Sequence, residues 1–291
     1  MPATVRPRRS VLYMPGSNPR ALEKARTLPA DALILDLEDA VAPDAKEAAR
    51  EQVAAALRAG GYAPRETIIR INGLASPWGH ADLLAAASAG ADAVLIPKVE
   101  SADTVRQVIA VLDEAGAPAD LPLWCMMETP RGMLHVAEIA GASPRLGCLV
   151  MGTSDLAKEL HAAHTPLRLP LITALGLCLL AARACGLAIL DGVFLDLQDE
   201  AGFAAACRQG RELGFDGKTL IHPRQIEPAN QAFAPDAAEV AQARRIIEAH
   251  AAAMREGRGV VVVDGRLIEN LHVVEARRQV ELAEALAALS G

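Results

Sequence analysis

The chain has 291 residues, of which 52% are hydrophobic, 22% are charged and 3% are aromatic. A barrel of about 250 residues with a tail uses this length without a second domain. The formal net charge of −7 excludes the basic face that nucleic-acid-binding proteins present. No apolar run reaches the roughly 18 residues of a membrane span, and no signal-peptide core follows the N-terminus, so we expect neither a membrane protein nor a secreted one.

The cysteines are odd in number and show no Cys-x-x-Cys spacing. They are Cys125, Cys148, Cys178, Cys185 and Cys207. Most of them lie within apolar runs, which is typical of free thiols. We therefore expect reduced cysteines and a cytoplasmic protein.

Short apolar runs recur along the chain, with helical patterns between them. The eight predicted strands are Val11–Met14, Ala32–Leu35, Thr67–Ile71, Ala93–Ile96, Leu123–Met127, Cys148–Met151, Leu187–Leu190 and a weak run near Lys218–Ile221. None of them alternates apolar with polar residues, which is typical of parallel strands covered on both faces. The pattern predicts an α/β fold, a (β/α)8 TIM barrel. A doubly wound sheet is the alternative, but it usually carries a Gly-x-Gly-x-x-Gly turn after its first strand, and this sequence has none there.

We assign residues 1–224 to the barrel, as the catalytic domain, and residues 225–291 to a C-terminal extension. The extension reads as a long helix, a short strand, an Asp-Gly motif and a final helix. It is too small to be an independent domain. An exposed apolar tail of this kind commonly docks on a neighbouring subunit, so we expect a homo-oligomer.

Acidic side chains follow several predicted strands, at the end of the barrel where such enzymes carry their chemistry. Glu128 ends the fifth strand and Asp155 follows the sixth. A carboxylate in such a buried position costs free energy unless a partner neutralises it. Mg²⁺ typically takes one or two protein carboxylates and completes its shell with water or substrate oxygens. The pair predicts a Mg²⁺ site, although capping or salt bridging at a loop start explains either acid alone.

Asp36, Glu38 and Asp39 follow the second strand, and Arg70 interrupts the apolar third strand. We expect Arg70 to point into the barrel mouth. There it neutralises the three acids, or holds an oxyanion or enolate, or does both.

The turn after the first strand is a good helix start, with Asn18 as N-cap and Pro19 at the first helical position. Its free amides, together with Arg20 and Lys24, are also suited to phosphate, although the signal is weak by itself.

Two other candidate groups are less favoured. Lys98 and Lys218 resemble Schiff-base lysines, but the many nearby acids favour a charged ammonium over a nucleophilic amine. His161 and His164 have a spacing typical of metal ligands, but they follow Asp155 in a polar loop and have no third ligand, so we interpret them as a solvated surface pair.

Eight segments together resemble the HpcH/HpaI aldolase and citrate lyase superfamily over nearly the whole chain, in particular its citrate lyase β-subunit-like branch, which includes malyl-CoA and citramalyl-CoA lyases. The segments are Arg9–Ser17, Leu35–Val41, Ile69–Gly73, Ile96–Glu100, Met127–Gly132, Gly152–Leu156, Asp191–Phe194 and Gly217–Pro223. The resemblance implies a TIM barrel that binds Mg²⁺ and makes or breaks a carbon–carbon bond next to a coenzyme A thioester.

Matched motif by motif, the resemblance assigns the metal to Glu128 and Asp155 and the thioester enolate to Arg70. It places the coenzyme A nucleotide near Ser17, Arg20 and Lys24. The Asp-Gly motif at Asp264 matches an aspartate that reaches into a neighbouring subunit's site. The resemblance also implies a homotrimer or a hexamer, and Asp264 supplied in trans requires at least a dimer. The Gly-Thr-Ser-Asp form at residues 152–155 and Asn270 depart from the common pattern.

The function expected from these features is Mg²⁺-dependent cleavage, or formation, of a 3-hydroxyacyl-CoA such as citramalyl-, malyl- or citryl-CoA, which yields an acyl-CoA and a 2-oxo acid. Arg70, Asp264, Glu38 and Asp39 are the expected catalytic residues. Three alternatives stay open: a malyl- or citramalyl-CoA thioesterase, an aldolase of free 2-oxo acids, and a non-catalytic or carrier-protein-linked subunit of a citrate lyase complex. The sequence does not choose the acyl group or the direction.

Overall fold

The computed structural model describes residues 6–290 of the chain. Its contacts divide the chain into two compact units, one spanning residues 8–233 and the other running from residue 234 to the C-terminal end. The sequence places the end of the barrel at residue 224, whereas residues 225–233 belong to the first unit. No helix within residues 6–290 combines the length and the apolar composition needed to cross a membrane.

The first unit is a closed barrel of eight parallel strands. They are β1 (Ser10–Pro15), β2 (Ala32–Asp36), β3 (Glu66–Arg70), β4 (Ala93–Ile96), β5 (Leu123–Met127), β6 (Leu146–Met151), β7 (Ala188–Asp191) and β8 (Gly217–Leu220). Each strand pairs with the next, and β1 closes the ring by pairing with β8. The predicted (β/α)8 barrel is thus confirmed, and each strand lies within two residues of its predicted bounds.

Helices connect the strands and cover the outside of the barrel. They are α1 (Pro19–Ala25), α2 (Lys46–Ala59), α3 (Gly79–Ala89), α4 (Ala102–Glu114), α5 (Pro130–Leu134), α6 (Val136–Ala140), α7 (Thr153–Glu159), α8 (Ile172–Ala184), α9 (Glu200–Leu213) and α10 (Ile226–Phe233). Short 3-10 turns precede three of them, at Pro43–Ala45, Leu169–Leu171 and Pro223–Gln225. Asn18 caps α1 as predicted, since its side chain accepts a hydrogen bond from the Ala21 N–H.

The core has two layers because successive side chains of a strand point to opposite faces. The inner layer fills the barrel with side chains that include Ile34, Ile68, Leu95, Trp124 and Val150. The outer layer packs the alternate strand residues against the helices. Since both faces of each strand are buried, the strands read as continuous apolar runs.

The second unit is built from α11 (Ala237–Arg255), β9 (Val261–Val263), β10 (Arg266–Ile268) and α12 (Asn270–Ser290). The two strands form an antiparallel hairpin. Asp264 and Gly265 make its turn with φ angles of +49° and +77°, as an Asp-Gly pair does in a two-residue hairpin. Docking of this unit on another subunit stays a prediction.

Candidate active site

Asp36 at the end of β2 organises the loop that follows it. Its carboxylate oxygens accept hydrogen bonds from the backbone N–H groups of Glu38 at 2.9 Å and Ala40 at 3.0 Å. This loop closure is a local side-chain-to-backbone arrangement that Asp favours. It brings Glu38 and Asp39 to the carboxyl end of the barrel.

Arg70, the last residue of β3, lies beside these acids. Its Nε and Nη2 groups donate to the two carboxylate oxygens of Asp36 at 2.6 and 2.7 Å, which is the paired geometry that a guanidinium favours. Nη1 lies 3.0 Å from Glu38 and 3.3 Å from Asp39. The Tyr13 ring packs against the guanidinium, with its centroid 4.7 Å from Cζ. Arg70 is therefore held rigidly while it contacts all three acids.

Glu128 directly follows β5 and is only 1% exposed. One of its oxygens accepts a 2.7 Å hydrogen bond from the backbone N–H of Lys98. Lys98 has a φ of +50°, an uncommon conformation for a residue with a side chain. Burial raises the pKa of Glu128 to about 8, and the charge of Glu38 adds to the effect. A cation close to this carboxylate would favour its ionised form.

Asp155 lies near Glu128 because β6 runs almost directly into α7. Gly152 joins the two elements, and a Cβ at this position would collide with the Glu128 side chain, so only glycine lets the strand end pack there. Asp155 is in the first turn of α7 and lines the same cavity as Glu128. Its charge also raises the pKa of Glu128, as expected for neighbouring carboxylates.

Glu38 and Lys98 form an ion pair at the barrel mouth, with 3.2 Å between carboxylate and ammonium. Burial raises the pKa of Glu38, although the charge of Arg70 opposes this. Burial by itself would lower the pKa of Lys98, but the charge and hydrogen bond of Glu38, together with the charges of Glu128 and Asp155, outweigh it and the pKa is raised. Lys98 is therefore a charged ammonium, which does not favour the Schiff-base interpretation.

A cavity of about 340 Å³ opens at this end of the barrel. Arg70 and four acids line part of it, and the apolar residues Met126, Met151, Val193, Leu195 and Ile221 line much of the rest. Counting Glu38 and Lys98 as well, five acids share two basic residues, a formal excess of three negative charges when all are ionised.

The acids at the cavity fit a divalent cation bound by oxygen. No group of three or more His, Cys, Asp or Glu side chains within residues 6–290 is arranged to hold a metal ion. Zinc normally needs at least three protein ligands, mostly His or Cys, whereas Mg²⁺ is satisfied by one or two carboxylates with water and substrate oxygens. Glu128 and Asp155, next to open space, match the second case.

The other predicted binding residues do not line this cavity. Ser17, Arg20 and Lys24 are exposed at the start of α1. Their contact with coenzyme A stays a prediction.

Asp264 lies in the second unit, at the tip of the hairpin, where its carboxylate is 3.3 Å from Arg245. Its action in another subunit stays a prediction. His161 and His164 are exposed, as expected of a surface pair.

Sequence reasoning missed several residues that support the site. The buried ammonium of Lys46 donates to the backbone carbonyls of Leu37 and Glu38. The Asn72 side chain donates to the same Leu37 carbonyl at 2.9 Å. Both residues follow the predicted strands, but only the folded loop shows that they hold Glu38 in place.

The chain was compared with known proteins. Residues 9–223 match the model of the HpcH/HpaI aldolase/citrate lyase family. The chain belongs to this family. The resemblance found in the sequence is thereby confirmed.

Two curated relatives cover almost the whole chain. The (3S)-malyl-CoA thioesterase of Cereibacter sphaeroides is 56% identical over 282 residues, which are 97% of this chain and 96% of the relative. The β subunit of citrate lyase from Escherichia coli is 39% identical over 284 residues, 96% of this chain and 94% of the relative.

A solved structure shares the fold. CitE from Mycobacterium tuberculosis, in complex with magnesium, acetoacetate and coenzyme A, is 31% identical. The match covers 94% of this chain and 97% of that one, with a TM-score of 0.75. A protein similar to this chain therefore binds both the metal and the coenzyme expected from the sequence.

Proposed function

We propose that the protein is a Mg²⁺-dependent enzyme that hydrolyses the thioester of a malyl-CoA-type 3-hydroxyacyl-CoA. The observation that carries this choice is the 56% identity, over 97% of the chain, to a (3S)-malyl-CoA thioesterase. The citrate lyase β subunit is more distant at 39%. The acid-lined cavity around Arg70 supports chemistry on such a substrate.

Glu128 and Asp155 would hold the Mg²⁺ ion. When bound, the ion supplies Lewis-acid polarisation of an oxygen that it contacts. The malyl group offers a carboxylate and a hydroxyl, both of which are hard oxygen ligands. With the ion held by Glu128 and Asp155, the acyl end of the substrate would lie on the acidic side of the cavity.

Arg70 is placed to stabilise the thioester carbonyl oxygen. Its Nη1 lies 3.6 Å from the sulfur of Met126, a weak contact that a substrate oxygen replaces at little cost. When water adds to the carbonyl carbon, the negative charge gathers on this oxygen beside a guanidinium already held by Asp36. The carbon–sulfur bond then breaks, and malate and coenzyme A are released.

Glu38 is the carboxylate that we assign to accept a proton from the attacking water. It contacts Arg70, and burial raises its pKa, which makes it a better base than an ordinary surface carboxylate. The proton finally passes to the departing thiolate, which balances the reaction. Asp39, also in contact with Arg70, helps to orient the guanidinium.

Carbon–carbon cleavage is the second candidate, favoured by the position of Arg70 and by the similarity to citrate lyase β subunits. In this reaction the substrate hydroxyl passes its proton to Glu38, the base assigned above, and the adjacent carbon–carbon bond breaks. A 2-oxo acid leaves, and the thioester enolate remains beside Arg70 until it takes up a proton. The group that we propose as proton donor is Asp264 of a second subunit.

Product analysis distinguishes the two reactions. The protein is incubated with Mg²⁺ and with malyl-, citramalyl- or citryl-CoA, and the products are identified by mass spectrometry. We expect malyl-CoA to give malate and free coenzyme A, and EDTA to stop the reaction. Glyoxylate and acetyl-CoA would instead establish the lyase, and no turnover of any substrate would overturn both candidates.

For carbon–carbon cleavage, co-expression of two variants that each lack this activity tests the role of Asp264. If Asp264 acts in a neighbouring subunit, oligomers that combine Arg70→Ala and Asp264→Asn chains contain some sites with both native residues. We expect activity to return in the mixed oligomers. Full activity of Asp264→Asn by itself would show that this residue is not needed.

A further inference from the structure

Two segments singled out in the sequence, Asp191–Phe194 and Gly217–Pro223, contain Asp191 and Lys218, to which the proposed reaction gives no role, yet the structure joins these two residues. Asp191 ends β7 and Lys218 lies opposite it in β8. Their side chains form an ion pair of 2.9 Å, with both fully buried. Asp191 faces outward, because a Cβ on Gly210 of α9 would lie 3.0 Å from its carboxylate. Lys218 is therefore outside the cavity, and the Schiff-base hypothesis for it is not supported.

Arg168 is the third member of the cluster that Asp191 and Lys218 form outside the barrel, and it anchors the loop that precedes α8. Its Nη1 donates to both Asp191 oxygens, at 2.6 and 2.8 Å. Its Nε donates to Gln209 at 2.7 Å, and Gln209 in turn donates to the Leu167 carbonyl at 2.7 Å. The backbone of Arg168 is left-handed, with φ of +52°. A bulky residue keeps such a conformation only where its surroundings fix it.

The end of β7 also contacts the N-terminal end of segment 153–168. A Cβ on Gly192 would collide with the Thr153 side chain and lie 2.9 Å from the Met151 carbonyl. Thr153 is the first residue of α7, and Asp155 comes two residues later. Residues 191–192 therefore contact segment 153–168 at both of its ends, and Asp155 lies between these two attachments.

We propose that Arg168 and Asp191 are positioning residues that fix segment 153–168 and thereby hold the Asp155 carboxylate at the cavity. Neither residue lines the cavity. The inference rests on the proposed function, in which Asp155 binds Mg²⁺. Lys218 gives Asp191 a second positive partner, so the buried carboxylate is paired without water.

The test uses Arg168→Gln, which removes the attachment but leaves the Asp191–Lys218 pair in place. Hydrogen–deuterium exchange of the full-length protein is measured for peptides within residues 153–168, and Mg²⁺ binding is measured by calorimetry without substrate. We expect faster exchange in this segment and Mg²⁺ affinity lowered about tenfold, the lower end of the effect of losing a ligand-orienting partner. With saturating Mg²⁺, turnover should recover.

Arg183→Gln is the matched control, because Arg183 also pairs with an aspartate, Asp216, from the C-terminal end of α8. It should leave the exchange of segment 153–168 and the Mg²⁺ affinity unchanged. If Arg168→Gln does not fold, Arg168→Lys is judged by the same two measurements.

Native exchange rates or native Mg²⁺ affinity in the Arg168 variant would overturn the inference. A wild-type protein that binds no Mg²⁺ would instead overturn the proposed metal site, and the exchange rates alone would then decide whether Arg168 fixes the segment.

Discussion

The barrel carries two buried groups of charges, and they are built in opposite ways. At the cavity, five acids share two basic residues, and burial raises the pKa of Glu128 to about 8. Outside the barrel wall, burial would also raise the pKa of Asp191, but the charges of Lys218 and Arg168 outweigh it and the pKa is lowered. The carboxylates at the cavity outnumber their basic partners, whereas the structural carboxylate Asp191 has two basic partners of its own.

The comparison predicts that Asp191→Asn is strongly destabilising. It leaves two buried positive groups without their counter-charge, and breaking a buried ion pair in this way costs about 3–5 kcal/mol. Urea unfolding measures the change. Asp113→Asn is the control, because the Asp113–Arg145 pair is half-exposed on the aspartate side and should contribute about 0–1 kcal/mol. Equal losses of unfolding free energy in Asp191→Asn and Asp113→Asn would contradict the structural role assigned to the buried Asp191 cluster.

The corresponding change at the cavity, Glu128→Gln, should act in the opposite direction on stability. The amide is neutral at every pH, so it removes the cost of a buried negative charge, and we expect the metal-free melting temperature at pH 8 to rise by about 3 °C. Activity should fall on the order of 10³-fold, since metal polarisation supplies several kcal/mol of transition-state stabilisation. A lower melting temperature with normal activity would refute both expectations.

Arg70→Ala should lower turnover about 10²–10³-fold, the usual effect of removing one oxyanion donor. Mg²⁺ binding should change little, because Arg70 is not one of the two proposed ligands. Steady-state kinetics and a Mg²⁺ titration separate the two effects. Arg131→Ala, at an exposed arginine 3.7 Å from Glu100, serves as the control for the substitution itself. Normal turnover of Arg70→Ala would remove this residue from the mechanism.

The stability of the metal-free protein should fall as the pH rises from about 5 to 8. The pKa of Glu128 is raised from 4.5 to about 8, so in this window the folded state keeps a proton that the unfolded chain has released. The free energy of unfolding then decreases with pH. Thermal melts in EDTA measure the slope, which should be shallower in Glu128→Gln. Identical slopes would show that Glu128 does not titrate in this range.

The barrel was predictable from the sequence because both faces of its strands are buried. Apolar runs such as Ala93–Ile96 and Leu123–Met127 match β4 and β5 residue for residue. The acids at the strand ends, such as Glu128, were also predictable, since a charged residue that ends an apolar run is easily recognised in the sequence.

What the sequence could not supply are contacts made by loops and by residues far apart in the chain. The backbone N–H of Lys98 donates to Glu128, and Lys98 has a left-handed backbone conformation there. No local sequence motif predicts this conformation. Asp191 and Lys218 are 27 residues apart, and only the pairing of β7 with β8 brings them together. The barrel geometry also separates the two lysines considered for a Schiff base. Lys98 lies at the barrel mouth, whereas Lys218 faces the helices outside the barrel.

The most direct test of the metal site is calorimetric titration of Mg²⁺ into the wild-type protein and Glu128→Gln at pH 7 without substrate. At this pH part of the Glu128 population carries a proton, which must leave before the ion binds. The account predicts binding of one Mg²⁺ per chain with proton release in the wild type and neither in the variant. Equal binding by both proteins would contradict the assignment of Glu128 as a metal ligand.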